Sequence, residues 1–117
     1  VWSCGTAERF APFFWLAGAE GFTSGLGNFA PEISLQMFDA LKKSDFSAAM
    51  EIQRMITPLE YLREGRDKAN NVPVVKTALD YVGLNGGRCR PPIHPLRVNE
   101  RREVLEVIES WNLPEAR

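Results

Sequence analysis

The sequence predicts an α/β fold that begins with one strand–helix–strand unit and continues as a series of helices. Short apolar segments, each closed by a glycine, occur at Val1–Cys4 and Ala19–Ser24, as expected of buried parallel strands. Between them, Thr6–Leu16 carries phenylalanines at helical spacing. Because a crossover helix brings its two strands side by side, we expect these strands to be adjacent and parallel.

The ends of the first helix are marked by residues that favour helix termini. Thr6 is a suitable N-cap and Gly18 a suitable stop. Pro12 falls in the early turns, where a missing backbone N–H costs least.

The rest of the chain is predicted to form four helices joined by loops. The first is expected to begin at Pro31, and Ser44 or Asp45 is expected to cap the second. Pro73 opens the third helix and Asn99 caps the last.

Prolines, glycines and polar runs divide these helices. Pro58 is expected to kink or end the second helix, and Gly83 to stop the third. Loops are expected at Gly65–Asn71 and Asn85–Leu96, which are polar or rich in glycine and proline.

The composition argues against several classes of protein. A net charge of −1 over 117 residues gives no electrostatic basis for binding nucleic acid or an anionic membrane surface. No apolar run approaches the roughly 20 residues of a membrane span, and no signal peptide is evident. Two cysteines do not make a disulfide framework. We therefore expect a reduced, cytoplasmic protein that binds neither nucleic acid nor membrane.

Small and polar residues follow both predicted strands. The carboxyl edge of a parallel sheet is where α/β proteins bind their ligands, so residues at this edge are candidates for substrate contact. The alternative is that the glycines only end the strands and the hydroxyl groups only cap the helices. The candidate substrate-binding residues are Gly5, Thr6, Glu8, Thr23, Ser24 and Gly25.

Other possible sites are weaker. Gly25–Ala30 has the form G-x-G-x-x-A of a dinucleotide-binding turn, but a helix stands where the next strand should follow. We interpret it instead as a tight polar turn that faces a small anionic ligand. His94 is the only histidine, which is too few for a triad or a zinc site, so we expect no metal.

Three segments at the start of the chain together resemble the seventh and eighth strands of the dihydrodipicolinate synthase and N-acetylneuraminate lyase family. They are Val1–Gly5, Gly18–Gly25 and Asn28–Pro31. The family pattern there is a strand ending in glycine, a helix, Gly-Ala-x-Gly, a short strand and Asn-x-x-Pro. Val74–Leu79 and Arg90–Pro92 resemble the C-terminal helical region of the same family.

The resemblance implies that the chain is the C-terminal third of a (β/α)8 TIM barrel enzyme. Residues 1–43 would be its last two βα units, and residues 44–117 a C-terminal helical domain. The implied activity is that of a class I aldolase-type lyase, in which a lysine at the end of the sixth strand forms a Schiff base with a 2-oxo acid. That lysine lies outside this sequence, and Lys42, Lys43, Lys68 and Lys76 are not at predicted strand ends. We therefore expect no catalytic residue here, and the implied chemistry needs no cofactor.

The resemblance also implies roles for the candidate residues. Gly5 and Thr23 would lie near the imine, Thr6 and Glu8 near the distal part of the substrate, and Ser24 and Gly25 beside Thr23. Ala7 replaces an acid that sialic acid lyases use to bind sugar hydroxyls, which argues against that substrate. Thr23 replaces the aliphatic residue usual in dihydrodipicolinate synthase, which argues against that activity.

The sequence of Gly21–Gly25 is most similar to that of dehydratases of 2-keto-3-deoxy sugar acids. The implied partners are a small 2-oxo acid, the missing N-terminal part of the barrel, and further copies in a dimer or tetramer. Two alternatives stay open: a pyruvate-releasing aldolase of the same family, and a non-catalytic helical interaction module formed by Pro31–Trp111.

Overall fold

The computed structural model describes residues 1–114 and divides the chain into two compact units, Val1–Thr57 and a second unit that begins at Pro58. The described residues form two strands, five α-helices and one 3-10 turn. These are β1 (Ser3–Cys4), α1 (Ala7–Leu16), β2 (Gly21–Phe22), the 3-10 turn Leu26–Asn28, α2 (Pro31–Lys42), α3 (Phe46–Arg63), α4 (Asn71–Tyr81) and α5 (Val98–Glu109). The predicted domain boundary at residue 43 concerns where a barrel would end, and it stays a prediction.

The strand–helix–strand unit has the predicted topology. β1 and β2 pair in parallel, with Ser3 opposite Gly21 and Cys4 opposite Phe22. Both strands are shorter than predicted, because each has only one neighbouring strand among the described residues. Backbone hydrogen bonds continue the pairing at both ends, from Glu20 N to Trp2 O and from Thr23 N to Cys4 O, each 2.9 Å. The prediction of adjacent parallel strands is confirmed.

The predicted end of α1 is correct, and the start differs in one respect. Gly18 has φ +102°, the left-handed conformation that ends helices and that glycine adopts without strain. Thr6 occupies the N-cap position, but its side chain makes no capping hydrogen bond. Its hydroxyl lies 3.2 Å from Cys4 Sγ instead.

The core of the first unit lies between α1, α2 and the start of α3. Two aromatic contacts close its edge: Trp15 meets Phe38 edge-on at 5.8 Å between ring centroids, and Phe22 meets Phe38 at 6.3 Å. The buried residues at its centre are Ala11, Met37, Ala40, Leu41 and Ala49. This packing holds α1 over the two strands and so positions the turns at their carboxyl ends.

Apolar side chains next to β1 and in α1 remain open to solvent. Trp2 is 81% exposed and Leu16 71%, while Phe13 and Phe14 are about half exposed. A two-stranded sheet is rarely stable alone, and a contiguous exposed apolar surface usually marks a region that other protein surface covers.

The structure decides two of the predicted helix boundaries. Of the two outcomes expected at Pro58, an end of the helix is wrong and a kink stays a prediction: α3 continues to Arg63, with Ile56 and Leu59 on either side of the proline fully buried. Asn99 does not cap α5. The N-cap is Arg97, whose backbone N–H donates to Glu100 Oε1 at 2.8 Å.

Other boundaries in the second half of the chain agree with the sequence. Asp45 caps α3 by accepting a hydrogen bond from Ala48 N at 3.1 Å. α4 begins two residues before Pro73, and Gly83, with φ +87°, follows its end. Among residues 1–114, none of the helices combines the length and the apolar character needed to cross a lipid bilayer.

Candidate functional site

Three polar side chains meet where β1 and β2 end. Glu8, in the first turn of α1, is fully buried. Its Oε1 accepts hydrogen bonds from the hydroxyl of Ser24 and, at 2.5 Å, from the hydroxyl of Ser34. The two serine oxygens lie 2.8 Å apart. The cluster Glu8–Ser24–Ser34 therefore joins the turn after β1, the turn after β2 and the first half of α2.

The second oxygen of Glu8 is unsatisfied. Oε2 is the only buried side-chain oxygen or nitrogen among residues 1–114 without a hydrogen-bond partner. Leaving a buried acceptor unpaired costs about 1–3 kcal/mol, and more for a charged group. Native proteins carry few such groups, and those that persist call for a specific explanation such as a functional role. We therefore regard Glu8 as the leading candidate for a functional residue.

The turn after β2 is held by its own polar groups. Ser24 Oγ also accepts a hydrogen bond from Gly27 N at 2.8 Å, and Asn28 Nδ2 donates to Gly25 O at 3.0 Å. The segment between β2 and α2 contains a 3-10 turn, Leu26–Asn28, in which Leu26 is fully buried. The Gly27 amide is thus engaged by Ser24, and this arrangement agrees with a tight polar turn rather than a dinucleotide-binding loop.

Gly5, Thr6 and Thr23 form the accessible part of this edge. All three are exposed, and a Cβ built on Gly5 would meet no atom within 4 Å. Thr23 Oγ1 makes only a long contact of 3.5 Å with Cys4 O. These residues therefore leave open space and a hydroxyl group above the strand ends, whereas Glu8 and Ser24 lie behind or beside them.

The turn between β1 and α1 is strained. Ala7 is buried and has φ 61°, a left-handed conformation that residues with a side chain rarely adopt. Backbone strain of this kind clusters at functional sites. Here it lies between Thr6 and Glu8, the two residues of the turn that carry polar groups.

None of the four lysines lies at a strand end. Lys76 is in α4 and donates to Gly86 O at 2.6 Å, and Lys42, in the last turn of α2, lies 5.4 Å from the ring centre of Phe38. Lys43 and Lys68 are exposed, after α2 and in the turn before α4. The prediction that these lysines do not lie at strand ends is confirmed, and the absence of a Schiff-base lysine from this chain stays a prediction.

Ser34 is the one member of the cluster that sequence reasoning did not find. It lies 26 residues from Glu8 and sits among the apolar residues of α2. The available signal was a buried-face position of α2 occupied by serine between Ile33 and Met37. A buried hydroxyl needs a partner, and that need could have pointed to a polar group opposite it.

A family model described as the dihydrodipicolinate synthetase family matches residues 1–111. A curated protein of Methylobacterium radiotolerans named probable 5-dehydro-4-deoxyglucarate dehydratase is 32% identical over 104 residues, which cover 88% of this chain and 34% of that protein. A protein of the same name from Oceanobacillus iheyensis is 28% identical over 107 residues, covering 89% and 34%. The chain thus spans about a third of the length of these relatives.

A solved structure gives a closer match by identity. The crystal structure titled dihydrodipicolinate synthase from Bacillus clausii superposes with a TM-score of 0.92 and is 44% identical. The match covers 96% of this chain and 38% of the solved one. The names of the similar proteins therefore include both a dehydratase and a synthase.

Proposed function

The chain belongs to the dihydrodipicolinate synthetase family, and on that premise we propose that it is part of a Schiff-base-forming lyase, a dehydratase acting on a 2-keto-3-deoxy sugar acid or a related 2-oxo acid. One observation carries the proposal. Glu8 and Ser24 follow different strands, and their hydrogen bond joins the two carboxyl ends of a parallel sheet into one polar surface. That edge is where α/β enzymes bind substrate.

We propose that residues 1–43 are the last two βα units of a (β/α)8 barrel and that residues 44–117 form the helical domain that follows. The short sheet and the exposed Trp2, Phe13 and Phe14 support this placement, because upstream βα units would pair with the open strand edge and cover the apolar side chains. The coverage of about a third of the relatives agrees with a missing N-terminal part.

The proposed mechanism divides the work between the missing part and this chain. A lysine outside this chain forms an imine with the 2-oxo group, a proton next to the imine is removed, and a hydroxyl group leaves as water. Gly5, Thr6 and Thr23 line the substrate pocket from the side described here. Glu8 and Ser24 fix the two turns that carry them, and Gly25 lies beside them in the turn that carries Thr23. No residue of this chain acts as nucleophile, and no cofactor is involved.

Thr23 favours dehydratase activity over synthesis of dihydrodipicolinate. Its hydroxyl group is exposed and makes only one long hydrogen bond within the chain, so it is free to bind a hydroxyl of a sugar acid. A site that hydrogen-bonds a substrate hydroxyl rejects analogues that lack one. The assay compares kcat/KM of the full-length protein for dehydration of 5-dehydro-4-deoxyglucarate with its rate of dihydrodipicolinate formation. Faster formation of dihydrodipicolinate would overturn the substrate assignment.

Borohydride trapping tests the imine. We expect pyruvate and borohydride to modify one lysine of the full-length protein, upstream of Val1, and none of the four lysines of this chain. An adduct on Lys76, Lys42, Lys43 or Lys68 would contradict the proposed division of labour. Release of pyruvate from the substrate would favour the aldolase of the same family, and absence of any adduct would favour a non-catalytic helical module.

We also propose that the full-length protein forms a homodimer or homotetramer. Light scattering measures the mass of the assembly and distinguishes the two.

A further inference from the structure

The second unit contains a cavity that the proposed chemistry does not use. Its volume is about 470 Å³, within the range of small-molecule sites. It is lined by α4, by the loop that follows, and by the start of α5. The lining side chains that matter here are Lys76, Asp80, Arg88, Cys89 and Arg101.

The lining has three cationic side chains and one carboxylate, and two of these four charged groups are already engaged. Lys76 Nζ donates to Gly86 O at 2.6 Å, and Asp80 Oδ1 accepts from Gly86 N at 2.9 Å. Both therefore hold the loop against α4. This leaves Arg88 and Arg101 as the cations available to a ligand.

Neither of these arginines forms a salt bridge with any residue from 1 to 114. Arg101 makes one long hydrogen bond, from Nη1 to Thr77 Oγ1 at 3.5 Å. In the same unit, Arg63 pairs with Glu60 and Arg66 with Glu100, each at 3.0 Å. Arginines with a structural role here have carboxylate partners, whereas the two that line the cavity have none.

We propose that this cavity binds a small anion through Arg88 and Arg101. The ligand class is a small molecule with a carboxylate or phosphate group, because a guanidinium binds either through two parallel N–H donors. The volume leaves room for several carbon atoms beside the anionic group, so the site suits a metabolite rather than only an inorganic ion.

Calorimetric titration of the purified protein tests the proposal with three probes: inorganic phosphate, succinate and the uncharged succinamide. At least one of the two anions binds, succinamide does not, and the preference between phosphate and succinate identifies which anionic group the site takes. Arg88→Ala and Arg101→Ala each weaken binding at least about tenfold, the loss expected for a hydrogen bond to a charged group.

Matched control variants lie beside each arginine. Arg90→Ala in the same loop and Arg102→Ala in the same helix do not line the cavity and keep wild-type affinity. Asp80→Asn removes the one carboxylate of the lining while keeping an acceptor for Gly86 N, and tightens binding. Equal losses for Arg101→Ala and Arg102→Ala, or binding of succinamide as strong as that of succinate, would overturn the proposal, as would absence of binding by both anions.

Alkylation of Cys89 measures ligand binding independently of calorimetry. Cys89 is half-buried in the cavity lining, while Cys4 is fully buried, so iodoacetamide reports on Cys89. The bound anion slows alkylation in the wild-type protein and in Arg102→Ala, but not in Arg101→Ala. Alkylation at the same rate with and without a saturating anion would place the ligand elsewhere and contradict the site.

Discussion

Glu100 in the second unit and Glu8 in the first are both hydrogen-bonded to neighbouring elements, but only Glu100 has both carboxylate oxygens paired. Oε1 of Glu100 accepts from Arg97 N at 2.8 Å and pairs with Arg66 at 3.0 Å. Oε2 accepts from Asn70 Nδ2 at 2.6 Å. These partners lower the pKa of Glu100: the backbone hydrogen bond from Arg97 contributes most, then Asn70, and the charge of Arg66 adds to them against the opposing effect of burial.

Glu8 has no cationic partner among the described residues. Two serine hydroxyls bind one of its oxygens, and nothing binds the other. The same chemical group thus has both oxygens hydrogen-bonded in one unit and one oxygen unpaired in the other. A carboxylate with both oxygens hydrogen-bonded serves stability, whereas one with an unpaired oxygen can still accept a hydrogen bond in a functional role. The comparison predicts that substitutions at the strand ends change activity and that substitutions at Glu100 change stability.

The largest effect is expected at Thr23. Thr23→Val keeps the shape of the side chain and removes the hydroxyl, so a substrate hydroxyl loses its partner at a cost of about 1–3 kcal/mol. This corresponds to a loss of roughly 5- to 150-fold in kcat/KM of the full-length enzyme. Thr57→Val is the matched control, because the Thr57 hydroxyl donates to Gln53 O within α3. Unchanged kcat/KM in Thr23→Val would remove this residue from the pocket.

A smaller loss is expected for Glu8→Gln. The amide oxygen can still accept from both serine hydroxyls, but the NH2 group places donors where Oε2 offered an unpaired acceptor, so that acceptor is lost between the two turns and kcat/KM falls about tenfold. Imine formation with pyruvate persists, because Glu8 is not an amine and fixes the turns rather than the lysine. If Glu8→Gln no longer forms the pyruvate imine, Glu8 belongs to the core chemistry. If it keeps wild-type kcat/KM, Glu8 is only a structural residue like Glu100.

The converse is expected for Glu100→Gln. This change removes the pair with Arg66 and weakens the start of α5, so we expect the Tm of the full-length protein to fall by roughly 2–4 °C. Its kcat/KM stays at the wild-type value, because Glu100 does not lie at a strand end. Thermal unfolding followed by circular dichroism measures the first quantity and the enzyme assay the second. A change in kcat/KM without a change in Tm would contradict the comparison.

The smallest expected effect is the pH dependence of this stabilisation. The pKa of Glu100 in the folded protein is below its ordinary value of 4.5, so the folded state favours the ionised form. The contribution is fully present above pH 4.5 and is lost as the pH falls through the lowered pKa. The difference in unfolding free energy between the wild-type protein and Glu100→Gln should therefore shrink on acidification below pH 4.5. A difference that grows in this range would contradict the assignment.

Several features of the fold were predicted from local patterns. The order of strand, helix and strand follows from short apolar segments around a helical spacing of phenylalanines, and the stops at Gly18 and Gly83 follow from the left-handed conformation that glycine tolerates. The position of Thr6, Glu8, Thr23 and Ser24 at strand ends was predicted from the same apolar segments, because these four residues lie at or just after the ends of those segments. The continuation of α3 through Pro58 and the cap of α5 at Arg97 have a different source, because they accompany burial around Pro58 and contacts of Glu100 with Asn70 and Arg66, which lie far from it in the chain.

The sequence by itself determined which elements form, their order, and which edge of the sheet collects polar residues, because these depend on backbone conformation and on side-chain periodicity within a few residues. Only the tertiary structure decided that Glu8 is buried, that it meets Ser34 26 residues away, and that one of its oxygens stays unpaired. It also decided that Arg88 and Arg101 line one cavity. Hydrogen-bond partners across elements depend on how helices pack, and packing is set by the summed contacts of many residues rather than by spacing along the chain.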